Sequence, residues 1–233
     1  RTVGSSTPGT AVVSRKTVLG GGSSSDLSSA FCACGSSVSA SQIISSSSIP
    51  IVKLGPVIDA LGPRAVVVHT GQHWDSGLSD VFLQQLGVPE PVRTLGIGGG
   101  TRGEQLGQAV ERLDQVFAEL RPAAVVVQGD TTSALAGALA ANAGNVPVAH
   151  VEAGLRSFDR AMPEEHNRVL TDAVADLGLA PTETSRQHLL AAGVPADRIE
   201  VTGNTVVDAL HALLPDEAGR AEVLRARGLV REG

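Results

Sequence analysis

The chain has no excess of positive charge: 18 Lys and Arg stand against 24 Asp and Glu, a formal net charge of −6. Affinity for a phosphate backbone comes from clustered cations, so this balance disfavours nucleic acid as a partner. Cysteine is nearly absent. Cys32 and Cys34 are the only two, too close in sequence to pair without strain and only half of a structural zinc set. They read as incidental thiols of a reducing compartment, and no metal is expected. No apolar run approaches the roughly 18 to 20 residues that cross a bilayer, and no basic start followed by an apolar core marks a signal peptide. The expectation is a cytoplasmic protein without a membrane partner. Methionine occurs once, as Met162, and the sequence begins at Arg1, the pattern expected of a fragment of a longer product.

What is present begins with serine. Roughly a third of residues 1–48 are Ser, in clusters such as Ser23-Ser24-Ser25 and Ser45 to Ser48. Such low-complexity composition offers too little apolar surface to offset chain entropy, so this segment is expected to be disordered or irregular. From Ile49 onward, strand-length apolar runs alternate with amphipathic stretches. With 233 residues, 42% of them hydrophobic, the chain can build one full core. The expected division is an irregular segment over 1–48, a Rossmann-like domain over 49–205, and over 206–233 the start of a linker to a second domain.

Strands are expected at 65–69, 123–127, 146–151, 177–180 and 199–202. Their apolar runs are continuous rather than alternating, which marks strands covered on both faces. The clearest helix covers 103–120, where Leu106, Val110, Leu113, Phe117 and Leu120 recur at spacings of three and four, with Thr101 and Glu104 placed as a capping box. A second helix over 182–192 is closed by Gly193. Strict alternation of strand and helix predicts an α/β fold with a doubly wound parallel sheet, whose ligands sit at the carboxyl ends of the strands.

Candidate chemistry lies at those ends. The strand at 123–127 runs into Gln128-Gly129-Asp130-Thr131-Thr132, where Asp130 is either a reactive carboxylate or a cap for the helix over 134–141. The next strand leaves as His150-Val151-Glu152-Ala153-Gly154-Leu155-Arg156. A Glu continuing an apolar strand must be paired or used, either against Arg156 or in a site. Two neighbouring strand ends that each offer a carboxylate favour a site, because paired acids can be tuned to opposite proton-transfer roles. Glu164 follows in Met162-Pro163-Glu164-Glu165-His166-Asn167-Arg168, a segment that equally suits a helix start. Gln72 and His73 follow the strand at 65–69 on the same edge. A rival motif, Gly98-Gly99-Gly100-Thr101-Arg102-Gly103, satisfies G-x-G-x-x-G, and with Asp130 as the ribose acid it would read as a nicotinamide site. The strand that should precede it, over 92–97, is poor, with Arg93, Thr94 and Gly96 inside it.

Taken in order, Lys53-Leu54-Gly55-Pro56-Val57-Ile58, Thr70-Gly71-Gln72-His73, Gly129-Asp130-Thr131-Thr132, His150 to Arg156, Pro163-Glu164-Glu165 with Asn167-Arg168, and Thr202-Gly203-Asn204-Thr205 resemble the non-hydrolysing UDP-N-acetylglucosamine 2-epimerases. The resemblance runs from about 52 to 210. It implies the amino-terminal half of a two-domain GT-B-type fold, with a UDP-sugar in the cleft and C2 of the sugar inverted by elimination and re-addition of UDP. It implies no cofactor, and a homodimer. By matching motif, Asp130, Glu152 and Glu164 would be the acid/base carboxylates, and Lys53 would sit near the phosphates. Gln72, His73 and Gln105 would match positions linked to a second, activating UDP-sugar, and Arg156 would bind substrate.

Three departures accompany the resemblance. The family's Gly-Thr-Arg-Pro-Glu turn is replaced by Ser46-Ser47-Ser48-Ile49-Pro50, so Ser48 stands where the substrate-facing arginine is expected. The strand before it is expected to be absent or reduced to Ile43-Ile44. The family's second domain, with its catalytic histidine and most of its nucleotide contacts, is expected beyond Gly233. The alternatives to an epimerase are an inactive UDP-sugar-binding remnant and a nicotinamide-binding domain.

Overall fold

The structure, a computed structural model, describes residues 41–73, 87–214 and 217–227. Cys32 and Cys34 and the segment 1–40 lie outside the described residues. Among the described residues the chain forms one parallel sheet: β1 (Ser41–Ser47), β2 (Ala65–His73), β3 (Arg93–Thr94), β4 (Ala124–Gln128), β5 (Val148–Val151), β6 (Leu177–Ala180) and β7 (Ile199–Val201). Their order is β3-β2-β1-β4-β5-β6-β7. The helices are α1 (Ser48–Leu61), α2 (Arg102–Leu120), α3 (Thr132–Ala143), α4 (Pro163–Val174), α5 (Glu183–Ala191), α6 (Thr205–Leu213) and α7 (Glu217–Ala226). None of these helices is long and apolar enough to cross a membrane.

One expectation is corrected at the amino-terminal end. The strand expected to be absent or reduced to Ile43-Ile44 spans Ser41–Ser47 and lies inside the sheet, with Ile43 in register with Val67 on β2 and Val126 on β4. Residues 41–48, read as irregular from their serines, therefore supply a strand and the start of α1. Pairing on both edges satisfies the backbone of β1 whatever its side chains are, so tertiary context overrides the composition.

The strands β4, β5 and β6 are buried nearly throughout, as their continuous apolar runs require, whereas β3 and most of β7 are exposed. Val125 and Val127 of β4 pack with Leu113, Val116 and Phe117 of α2 and the alanines of α3. Val126, one residue out of phase, joins Ile51, Leu54, Val57, Ile58 and Leu61 of α1 on the opposite face. Helix α3 is nearly all small residues, which lets it lie close to β1 and β4 and in contact with both α2 and α4.

Local chemistry fixes the helix ends. Thr101 Oγ1 accepts from the Glu104 N–H at 3.2 Å while Glu104 Oε2 accepts from the Thr101 N–H at 2.7 Å, the expected capping box. Thr131 caps α3 through the Ala134 N–H, and Thr182 caps α5 through Ser185. Between β1 and β4 the winding direction reverses. The crevice at their carboxyl ends is where a doubly wound sheet binds ligands, and β5 lies next to it.

Gly154, just past β5, is fixed by both conformation and space. Its φ is +78°, and a Cβ there would lie 2.2 Å from the Ser185 carbonyl oxygen. Gly154→Ala should therefore lower stability by on the order of 3 kcal/mol, read as a drop in the denaturation midpoint; an unchanged midpoint would show that the loop after β5 is free to shift.

Candidate active site

Asp130 and Glu152 come together because β4 and β5 are neighbours in register, with Gln128 beside Val151. Glu152 is the first residue after β5 and is buried, 7% exposed. Its φ is +65°, a left-handed conformation that costs a non-glycine residue about 1–3 kcal/mol. The Gly129 N–H to the Val151 carbonyl and the Ala153 N–H to the Leu179 carbonyl hold the chain on either side of the bend. The bend turns the carboxylate over Gly129, and Lys53 Nζ from α1 donates to both oxygens at 3.0 Å. Gln128 Nε2 donates to Oε2 as well. The partner of Glu152 is thus Lys53, 99 positions away in sequence, and not Arg156.

Asp130 does not cap α3; Thr131 takes that role. The Asp130 carboxylate instead pairs with Arg168 of α4, and its carbonyl accepts from Asn167 Nδ2 at 2.7 Å. Arg168 also binds Glu165 Oε2 at 3.0 Å. Burial by itself raises the pKa of Glu165. Hydrogen bonds from the Ser157 N–H, Arg168, the Phe158 N–H and the Ser157 hydroxyl outweigh that and bring it to about 2. Glu164, the neighbouring residue, is exposed, and its carboxylate has no hydrogen-bond or ion-pair partner among the described residues. Helix α4 is inverted in character: its buried side carries Glu165, Asn167, Thr171 and Asp172, while Val169 and Leu170 face outward.

Arg156 is drawn away from Glu152. Its guanidinium donates to Asp172 Oδ2 at 2.7 Å and is almost wholly buried. Asp172 also accepts from the Gly154 N–H at 3.2 Å, and its Oδ1 lies 2.7 Å from His150 Nδ1. Burial pushes this carboxyl up, but His150 and Arg156 outweigh it and hold it below the usual carboxylate range. His150 Nε2 lies 2.8 Å from the Gly129 carbonyl oxygen.

Gln72 and His73 close β2 on the same carboxyl edge. Gln105, in the first turn of α2, donates to the Gly99 carbonyl at 3.1 Å. Arg102 joins the start of α2 to the start of α4 through the Pro163 carbonyl at 3.0 Å and Asn167 Oδ1 at 2.5 Å. Three residues that shape the site were not singled out from sequence, Gln128, Asp172 and Arg102, and the pairing of Lys53 with Glu152 was not foreseen. A signal existed for two of them. Gln128 is a polar end to an unbroken apolar strand, and Asp172 falls eight positions after Glu164 within one helix, on its buried polar side.

The rival nicotinamide reading loses its geometry here. Gly98 to Gly103 follow the two-residue edge strand β3, two strands from the reversal point, and β4 does not neighbour β3. Among the described residues no compact βαβ unit surrounds these glycines, since α2 leads from β3 to the non-adjacent β4. The Glu104 carboxylate already occupies the amino end of α2, where a pyrophosphate would bind. Among the described residues no group of three or more His, Cys, Asp or Glu could hold a metal.

A doubly wound parallel sheet with acids and their cations gathered beside its reversal point defines a Rossmann-like type of α/β domain. Comparison with known proteins narrows this. The family model described as UDP-N-acetylglucosamine 2-epimerase matches residues 61–230. The UDP-N-acetylglucosamine 2-epimerase of Methanocaldococcus jannaschii is 48% identical over 162 residues, 68% of this chain and 44% of that protein. The UDP-2,3-diacetamido-2,3-dideoxy-D-glucuronate 2-epimerase of Pseudomonas aeruginosa is 49% identical over 124 residues, 53% of this chain and 35% of that one. The crystal structure of the M. jannaschii enzyme in complex with UDP-GlcNAc and UDP superimposes with a TM-score of 0.73 at 44% identity, covering 78% of this chain and 52% of that one. The chain belongs to the UDP-N-acetylglucosamine 2-epimerase family. It spans about half the length of the relatives it matches.

Glu165 gives a measurable pH dependence. Its folded pKa, about 2, lies below the ordinary 4.5, so its contribution is full above about pH 4.5 and is lost as pH falls toward 2. Glu165→Gln should lower the stability at neutral pH by about 3 kcal/mol, with the gap from the parent closing below pH 4.5. A gap that is the same at every pH would refute the ionised pairing with Arg168, Ser157 and Phe158.

Proposed function

We propose that this chain carries the carboxylate-bearing half of an enzyme that interconverts UDP-N-acetylglucosamine and UDP-N-acetylmannosamine. The observation behind the proposal is the meeting, at two adjacent strand ends, of Glu152 held by Lys53 and Gln128 with Asp130 held by Arg168. The hydrogen at C2 of such a sugar is not acidic. Inversion there without an oxidant is possible by elimination: a carboxylate takes the C2 proton, the C1–C2 double bond forms, and the C1–O bond to UDP breaks. Protonation of C2 from the opposite face and return of UDP to C1 complete the inversion with no net redox change.

Asp130, Glu152 and Glu164 are assigned the proton transfers, for which a positioned acid or base contributes about 100- to 10,000-fold. Lys53 has three donors, two of them on Glu152, and its side chain is 27% exposed. The third is assigned to the departing diphosphate, whose developing charge a cation stabilises. Arg156, committed to Asp172, is assigned to substrate binding only indirectly, through the loop it holds. Gln72, His73 and Gln105 are assigned to a second UDP-sugar, and a homodimer is the assembly proposed with them.

Incubation of the chain with UDP-N-acetylglucosamine in D2O should yield UDP-N-acetylmannosamine with deuterium at C2, followed by NMR. Asp130→Asn and Glu152→Gln should each lower the rate by at least about 100-fold. Near-normal turnover in both variants would reduce them to structural ion pairs. A cooperatively folded chain that gives no product would favour the inactive remnant, and a rise in Tm with NAD but not with a UDP-sugar would overturn the assignment.

A further inference from the structure

His150 is fully buried, and neither the carboxylate pair nor the cations around it require its chemistry. Its two ring nitrogens nevertheless face two different oxygens. Nε2 lies 2.8 Å from the carbonyl oxygen of Gly129, and Nδ1 lies 2.7 Å from Oδ1 of Asp172. A carbonyl oxygen only accepts, so Nε2 must carry a proton. The Asp172 carboxylate already accepts from Arg156 and from the Gly154 N–H on its other oxygen, donors that favour its ionised form, and an ionised carboxylate also only accepts. Either neutral tautomer of His150 would set a ring lone pair against an oxygen lone pair at hydrogen-bond distance. A ring with both protons satisfies both contacts.

We propose that His150 is a positioning residue that donates from both ring nitrogens and so clamps the Gly129 carbonyl, and with it the turn bearing Asp130, to Asp172 of α4. Gly129 has a φ of +70°, and its carbonyl is the last group before Asp130. Holding that carbonyl fixes the plane of the peptide that joins Gly129 to Asp130, while Arg168 and Asn167 hold Asp130 itself from the same helix. The charged groups in contact with the clamp are Asp172 from α4 and Arg156 from the loop after β5. Burying the ring as a cation costs desolvation, and the carboxylate of Asp172 with the dipole of the Gly129 carbonyl offset it. Only the purpose of the clamp rests on the function proposed above; the state of the ring does not.

The ring is read directly. In a long-range 1H–15N spectrum of the full chain at neutral pH, the two nitrogens of His150 should have similar shifts, each with its own attached proton. One protonated and one bare nitrogen, widely separated in shift, would overturn the assignment. Asp172→Asn, which removes the charge but keeps the shape, should convert His150 to a ring protonated at Nε2 alone, the nitrogen that faces the Gly129 carbonyl. If the Gly129 carbonyl and Asp130 amide signals stay in place in His150→Gln, the clamp does not position the turn. In His150→Gln, turnover should fall about 10- to 100-fold in kcat with KM little changed, since displacing a catalytic group by about an ångström has that effect; an unchanged kcat would equally refute the positioning role.

Discussion

The carboxylates at the carboxyl edge of this sheet could not be held where they are without cations supplied from distant parts of the chain. Lys53 reaches Glu152 from α1, Arg168 spans Asp130 and Glu165, and Arg156 meets Asp172 beside His150. Taking a carboxylate out of water costs several kcal/mol unless geometry and hydrogen bonds repay it. The arrangement of α1, α4 and the loop after β5 therefore follows from where the acids sit as much as from apolar packing. Glu164 is the exception, an exposed acid on the first turn of α4 with no cation of its own among the described residues.

The fold was legible in the sequence wherever apolar surface set the outcome. The runs at 65–69, 123–127, 146–151, 177–180 and 199–202 each overlap a strand, and for 124–128, 148–151 and 177–180 the reason is burial on both faces, which leaves an unbroken apolar run. Thr101 with Glu104 announced α2, since a capping box is a local contact between residues three apart. The strand Ser41–Ser47 was not legible in the same way. Its serines carry no such signature, and what holds β1 is the hydrogen bonding of its two neighbours.

The site was legible as a set of residues but not as a set of pairs. Strand ends gave Asp130 and Glu152, since a polar group at the end of a buried strand can only be at the mouth of the sheet. Their partners were not readable. Glu152 has an arginine four positions away and is paired instead with a lysine 99 positions away, because the left-handed turn at Glu152 points its side chain back over β4 and toward α1. Sequence distance is a poor guide where a single φ angle decides which way a carboxylate faces. Of the two readings left open for Asp130, the cap fails by one residue: Thr131 is the group whose oxygen meets the free N–H of α3.

The inverted character of α4 has a further consequence. Apolar contacts are indifferent to small rotations, so a helix held by them can roll by several degrees at little cost. Hydrogen bonds are directional and weaken steeply as they bend. With Glu165, Asn167 and Asp172 all engaged on its inner side, α4 is keyed into the sheet like a shaft in a slotted hub, and the direction in which Glu164 leaves its first turn is set by the same fit.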